Sequence, residues 1–445
     1  MHISKRYFLL ILLFFLLSSN ACSTVTSSPG SGQLLPSTRG SATVRASPTV
    51  PTVVPSAATP TLDELARGIV RNLTLEQKLG QMVIVEFSGA SYNPDLQQMI
   101  ETSQVSGVLI ENNNGNVESR DQLTALNTTL QAHAHIPLFI STDFEGGYVN
   151  ELRRITGERP SEAAIGASGS TQYAYSQGLA AAQTLKALGL NVNFMPIVDV
   201  LTNANNPGLP QRTFGSDPTL VTNMGRAYLQ GLTDGGVIGC LKHFPGLGAA
   251  SVDPHRALPN DNRSLAQLAS IDLVPYRTLV NEGIVPMVMT THILNPQLDP
   301  RLPTSLSPAV VTDLLRNRLH FEGVTISDTL WMGGISNTYP LAQAAVLAIK
   351  AGEDLLLGPR GLSETRNMLA ALKETVLKGE LQESQINAAV ERILALKLRY
   401  GILSQARALQ LLATPGNDQV PTAHAPHPQS IAEADLRRSS WQEAL

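Results

Sequence analysis

From residue 61 onward, short β-rich apolar runs alternate with longer stretches in which Leu and Ala recur at helical spacing. The apolar runs cover 81–87, 106–111, 138–143, 192–200, 239–244, 287–293, 324–328 and 354–357. Between them lie amphipathic stretches at 119–134, 173–188, 220–233, 265–281, 308–319 and 341–351, and a last one at 383–400 ends before Gly401. Strands that alternate with helices form parallel sheets. Eight such units predict an α/β chain closed into a (β/α)8 TIM-type barrel, expected as a single catalytic domain without a second α/β sandwich domain. A doubly wound open sheet is the structural alternative.

Charged and polar residues fall at the C-terminal ends of these runs: Asp143, Asp199, Lys242, His243, His292 and Asp328. In a parallel barrel that rim is where chemistry is built. Six such residues around one rim predict a site.

The ends of the chain have a different composition. Lys5 and Arg6 precede an apolar run from Tyr7 to Leu17, and Ala21-Cys22 follows. This is the layout of a secretory signal, and the run is short for a membrane span. Cys22 resembles a bacterial lipidation site, although Ser19 and Asn20 are unusual before one. We expect a signal over 1–22 with lipidation at Cys22, a Ser/Thr/Pro-rich tether over 23–60 that cannot bury enough surface to fold, a barrel over 61–405 and a tail over 406–445. The expected location is outside the cytoplasm, with membrane contact only through the lipid. The other cysteine, Cys240, lies in an apolar run and reads as core, so no disulfide framework is available.

The chain has 445 residues, 43% hydrophobic and 15% charged, with a formal net charge of −4. That balance lacks the basic surplus of a nucleic-acid binder. No phosphate loop or dinucleotide fingerprint is present, so no cofactor is expected. A metal centre is disfavoured because Lys242 would repel a cation and no paired-His helix motif occurs.

Asp328 ends the run Val324-Thr325-Ile326-Ser327 and suits a nucleophile, or else a helix cap. Asp253 and His255 flank Pro254. An Asp beside a His holds one tautomer and stabilises the cation, so the pair suits proton transfer; the alternative is a polar surface loop. Lys242 and His243 are donors suited to hydroxyl groups. Asp143 opens Asp143-Phe144-Glu145-Gly146-Gly147, where Glu145 is expected to brace the loop.

Residues 242–259, KHFPGLGAASVDPHRALP, resemble the signature loop of the β-N-acetylhexosaminidases of glycoside hydrolase family 3, the NagZ type: K-H-F-P-G-H-G, then D-S-H and L-P. Residues 142–147 resemble that family's D-x-E-G-G, 212–215 its R-S-F-G, 303–307 its P-A-x-L-S and 327–332 its S-D-D-L-x-M. The stretches occur in family order over about 62–402. The resemblance implies that Asp328 is the nucleophile, that His255 is the acid/base polarised by Asp253, and that Asp143, Arg212, Lys242 and His243 bind the terminal sugar. It implies a retaining exo-glycosidase, expected as a monomer, releasing β-linked N-acetylglucosamine from muropeptides or chitooligosaccharides. A β-glucosidase or β-xylosidase of the same family, or a sugar-binding barrel without activity, is the alternative. Departures are Leu247 for His, Pro254 within the dyad, Thr329 for the second Asp, and Tyr148 and Glu151 in place of the two arginines of G-G-R-V-Q-R. Arg153 or Arg154 is a candidate to compensate. Residues 430–440 resemble the start of the linker to a second domain in larger members.

Overall fold

A computed structural model describes residues 60–413. The expected signal, lipidation site, tether and most of the tail lie outside the described residues. Eight strands form one sheet: β1 (Val83–Glu86), β2 (Gly107–Leu109), β3 (Phe139–Thr142), β4 (Val192–Asn193), β5 (Ile238–Phe244), β6 (Met287–Thr290), β7 (Val324–Ser327) and β8 (Leu356–Arg360). Each neighbouring pair is parallel. The ring closes between β7 and β8 through the bridge Ile326↔Leu355 and the bond from Leu355 N–H to Thr325 O, 2.9 Å. The barrel expectation holds, and the open sheet is excluded by that closure.

The strands read as continuous apolar runs because both faces are covered, by barrel core inside and helices outside. All residues of β1, β3, β5, β6 and β7 are buried. Cys240 is fully buried, as its neighbours predicted.

Two expected elements differ, and one element is new. The run 192–200 is a strand only at Val192–Asn193. Pro196 has no N–H to give the ladder, although Met195 and Pro196 carbonyls still accept from Cys240 and Lys242 of β5. The stretch 265–281 is two helices, Leu265–Ser270 and Leu273–Asn281. Pro275 cannot donate to the carbonyl of Ile271, so one helix cannot run through. A hairpin, Phe144–Gly146 with Val149–Asn150, follows β3; its strands are too short to show a period of two.

The folded body also extends past 405. The helix Gln405–Ala413 packs on Leu62–Asn72, whose Asn72 amide donates to Leu412 O at 3.3 Å. Gly68 makes room for it: a Cβ there would stand 2.6 Å from Leu412 Cδ2.

The helix Glu383–Arg399 locks the N-terminal end of the barrel. Lys397 is fully buried and donates to Ser106 O at 3.0 Å and Gln81 Oε1 at 3.1 Å. Arg392 and Arg316 both grip Asp354, at 2.7 and 2.5 Å. A hollow of about 380 Å³ lies at this end, at the strand starts Val285, Pro286, Gly323 and Val324, on the face that serves stability rather than catalysis.

Glu353 is buried beside this cluster and accepts from Thr290 Oγ1 at 2.5 Å. Burial first, and Asp354 next to it, push its carboxyl up to about 8. A folded-state value above the unfolded one means stability that is present at low pH and lost as pH rises through about 8. We therefore expect Glu353→Gln to gain in melting temperature relative to the parent as pH is raised from about 5 to 9, read by thermal unfolding across that range.

Candidate active site

All the predicted site residues meet at the C-terminal mouth. Glu145, on the hairpin after β3, is a fully buried charge there, with a side chain only 1% exposed. Its two oxygens accept from Arg212 Nε and Nη2 at 2.8 and 2.9 Å, and Lys242 Nζ stands 2.8 Å from Oε1. Burial pushes the carboxyl up, but the two cations outweigh it and bring it to about 2. Lys242 also donates to Asp143 Oδ1 at 2.5 Å. Burial disfavours its ammonium, yet Asp143 and Glu145 raise it above the usual lysine value. The hairpin can turn Glu145 inward because Gly146 has φ +104 and lies where a Cβ would be 2.2 Å from Pro160 O.

Arg212 comes from the loop after β4, where its Nη1 donates to Gly208 O at 2.7 Å. The Lys242–His243 peptide is cis. His243 Nδ1–H donates to Asp199 Oδ2 at 2.7 Å, and Asp199 Oδ1 accepts from Leu247 N–H at 2.6 Å. Leu247 thus supports the loop through its backbone, and its side chain is buried.

Asp328 sits half-buried just past β7, with its N–H bonded to Thr290 O at 2.8 Å. Burial opposes its charge. His243, His292 and His255, with the Thr329 amide at 2.8 Å, outweigh that and hold it below the usual Asp range. An ionised carboxylate with one free oxygen suits a nucleophile better than a helix cap. His292 is braced from both nitrogens, by Ser305 Oγ at 2.7 Å and Thr329 O at 3.1 Å. Thr329 therefore serves through its backbone, both N–H and C=O.

The third group is the dyad. His255 Nδ1–H donates to Asp253 Oδ1 at 2.8 Å, and the same oxygen accepts from His255 N–H at 3.0 Å. Asp253 feels burial first, but the bonds from His255 lower its carboxyl overall. The His255 side chain is 53% exposed, so Nε2 is free to carry a proton. Two glycines dock this loop on the one after Asp328: Gly333 N–H donates to His255 O at 3.0 Å and Gly334 N–H to Pro254 O at 2.8 Å.

A buried Glu–Arg–Lys cluster and an Asp–His pair on a loop bonded to that of Asp328 stand beside the sequence comparisons. Residues 74–396 match the glycosyl hydrolase family 3 N-terminal domain. The chain belongs to glycosyl hydrolase family 3. Among family 3 relatives, it is 34% identical over 374 residues to beta-hexosaminidase LpqI of Mycobacterium tuberculosis, covering 81% of this chain and 91% of that one. It is 31% identical over 373 residues to beta-hexosaminidase A of Pseudoalteromonas piscicida, covering 74% of this chain but only 61% of that longer one. A solved family 3 beta-N-acetylglucosaminidase from Paenibacillus superposes with TM-score 0.70 at 34% identity, over 76% of this chain and 68% of that one.

An acidic sector lines another part of the mouth. Glu86 and Glu111, at the ends of β1 and β2, share the Asn114 amide at 3.3 and 2.6 Å. Burial and then the charges of Glu86, Asp143 and Glu151 push Glu111 up to about 8. Glu151, in place of a family 3 arginine, accepts from Asn112 N–H at 2.7 Å and is itself raised by burial. Tyr148 is 66% exposed. Arg153 is spent on the Gly147 carbonyl and on Glu158 at 3.2 Å, so it does not restore the missing positive charge. Glu86 and Glu111 were not singled out from the sequence. The signal was there: each is a lone acid closing an apolar run.

Glu145→Gln should unseat both cations at once. Breaking a buried pair by removing one partner costs about 3–5 kcal/mol. We expect a loss of that order in urea unfolding, together with a fall in kcat/KM that Glu145→Asp does not recover, because the shorter acid cannot span Arg212 and Lys242.

Proposed function

We propose that this family 3 protein is a retaining exo-acting β-N-acetylhexosaminidase that releases terminal β-linked N-acetylglucosamine. The observation that carries this reading is the Asp253–His255 dyad on the β5 loop, joined by backbone bonds to the loop of Asp328. Relatives named beta-hexosaminidase and a fold neighbour named beta-N-acetylglucosaminidase favour the same substrate class.

The chemistry follows from the geometry. Protonated His255, its Nδ1–H held by Asp253, gives the Nε2 proton to the glycosidic oxygen. Asp328 attacks the anomeric carbon, the bond to the leaving group breaks, and a glycosyl ester forms on Asp328. Neutral His255 then takes a proton from a water that attacks the same carbon, which frees Asp328 and the sugar with net retention. Most retaining glycosidases use a second carboxylic acid for this proton. Here the imidazole does it, and Asp253 offsets its positive charge. Asp143, Lys242, Arg212 and His243 occupy β3 to β5, across the ring from Asp328 on β7. Their donors and acceptors suit the hydroxyl groups of one terminal sugar.

We take muropeptide fragments or chitooligosaccharides as the substrates and an extracytoplasmic, lipid-anchored location as the setting. The basic and apolar stretch before Cys22 supports the location, as does a relative described as a secreted glycosyl hydrolase from Arthroderma benhamiae, 35% identical over 342 residues.

The deciding experiment compares rates on nitrophenyl β-N-acetylglucosaminide and nitrophenyl β-glucoside. Preference for the N-acetyl sugar is expected, and activity on glucoside alone would overturn the substrate. Asp328→Ala should show no turnover at an unchanged melting temperature. His255→Ala should lose about 10²–10⁴ in rate on a poor leaving group and less on nitrophenol, which leaves unprotonated. Equal losses on both would remove the acid role.

A further inference from the structure

Trp331 is a part of the mouth that the chemistry above does not use. It lies three residues beyond Asp328. Its Nε1–H donates to Glu86 Oε1 at 2.5 Å, and the Arg360 guanidinium lies 5.1 Å from its ring centroid. The sheet register tells where that hydrogen bond leads. Glu86 pairs with Leu109 and Leu109 with Ser141. Alternate residues of a strand share a face, so Glu86 faces the same way as Asp143, which meets Lys242 inside the mouth. The indole is thus drawn over the barrel opening by a carboxylate that is 2% exposed.

Strand β8 packs against the ring, with Arg360 over it and Gly358 at its edge. Gly358, at φ +107, lets β8 come close: a Cβ there would be 3.2 Å from Trp331 Cδ1 and 2.6 Å from Thr329 Cγ2. Among the described residues no second ring or cation stacks on the indole. Trp331 is half-buried. Its loop continues into Gly333 and Gly334, which hydrogen-bond to the backbone of His255 and Pro254. The loop of Trp331 is therefore joined by backbone bonds to the loop of His255, the proton donor of the reading above. The group beyond the glycosidic oxygen lies against these joined loops, because the oxygen must reach His255.

We propose that Trp331, clamped by Glu86 and Arg360, is the platform on which the leaving saccharide stacks, so that the protein selects a pyranose aglycone over a small leaving group. The apolar C–H face of a pyranose is suited to the negative face of an indole. The inference rests on the hydrolase reading above and adds its aglycone class.

The test uses the full chain and two substrates: the two-sugar chitin fragment, which has a pyranose aglycone, and β-N-acetylglucosaminyl fluoride, which has none. The readout is the ratio of their kcat/KM values. Trp331→Ala should lower that ratio about tenfold, the scale of one stacking contact realised in the transition state. Trp331→Phe keeps a flat face and should lower it less than about threefold. Turnover of the fluoride shows that each variant is folded. An unchanged ratio in Trp331→Ala, whether both rates fall together or neither falls, overturns the platform. A parent protein inert on both substrates overturns the hydrolase reading and the platform with it.

Discussion

A carboxylate taken wholly out of water has to be paid back in partners, and at the mouth of this barrel Glu145 is that carboxylate. An unpaired charge there would be neutralised or expelled. Its partners come from two other parts of the chain, Arg212 after β4 and Lys242 on β5, and Lys242 in turn holds Asp143 after β3. Three adjacent segments therefore take up their positions together. The hairpin has to fold back with its two glycines, the β4 loop has to bring its guanidinium in, and the end of β5 has to present an ammonium to the same point. A buried ionic group of this kind adds little net stability over an apolar core. What it adds is a defined wall of donors and acceptors at the mouth.

The rest of the mouth shows how environment divides one functional group into several roles. Asp328 and Glu111 are both carboxyl groups at strand ends and both resist burial. Asp328 is surrounded by imidazoles and a backbone amide, and stays ionised. Glu111 is surrounded by other carboxylates, and is pushed to about 8. Neighbouring charge decides between them. The same logic separates the two histidine–aspartate pairs. His243 and Asp199 are buried and brace the floor of the site, while His255 and Asp253 stand at the open edge, where a proton can be exchanged with a leaving group.

The acidic sector formed by Glu86, Glu111 and Glu151 lies beside Asp143. Where the family pattern has arginine, this chain has Glu151 hydrogen-bonded to the Asn112 backbone. Arg153, close in sequence, is occupied by the hairpin turn. This part of the mouth thus differs in charge from the stretch that the family pattern would place there, while Asp253, His255 and Asp328 keep the positions of that pattern.

The eight apolar runs, the helices between them and the rim position of Asp143, Lys242, His243 and Asp328 were legible in the residues, because burial on both faces writes a strand as an unbroken apolar stretch and the barrel puts its chemistry at strand ends. The helix Leu341–Ala351 has the bounds its pattern predicts. Local signals failed where a proline withheld an N–H, at Pro196 and Pro275, and where strands of two or three residues were too short to carry a period. The pairing of Asp253 with His255 was legible too, since a spacing of two suffices to form that hydrogen bond. Only the tertiary structure decided that Glu145 joins Arg212 to Lys242, that Glu86 at the end of β1 accepts from Trp331 beyond β7, and that the chain beyond 405 packs on Leu62–Asn72. Those contacts join residues tens to hundreds of positions apart. Their partners are chosen by barrel closure and strand register, quantities that no window of sequence contains.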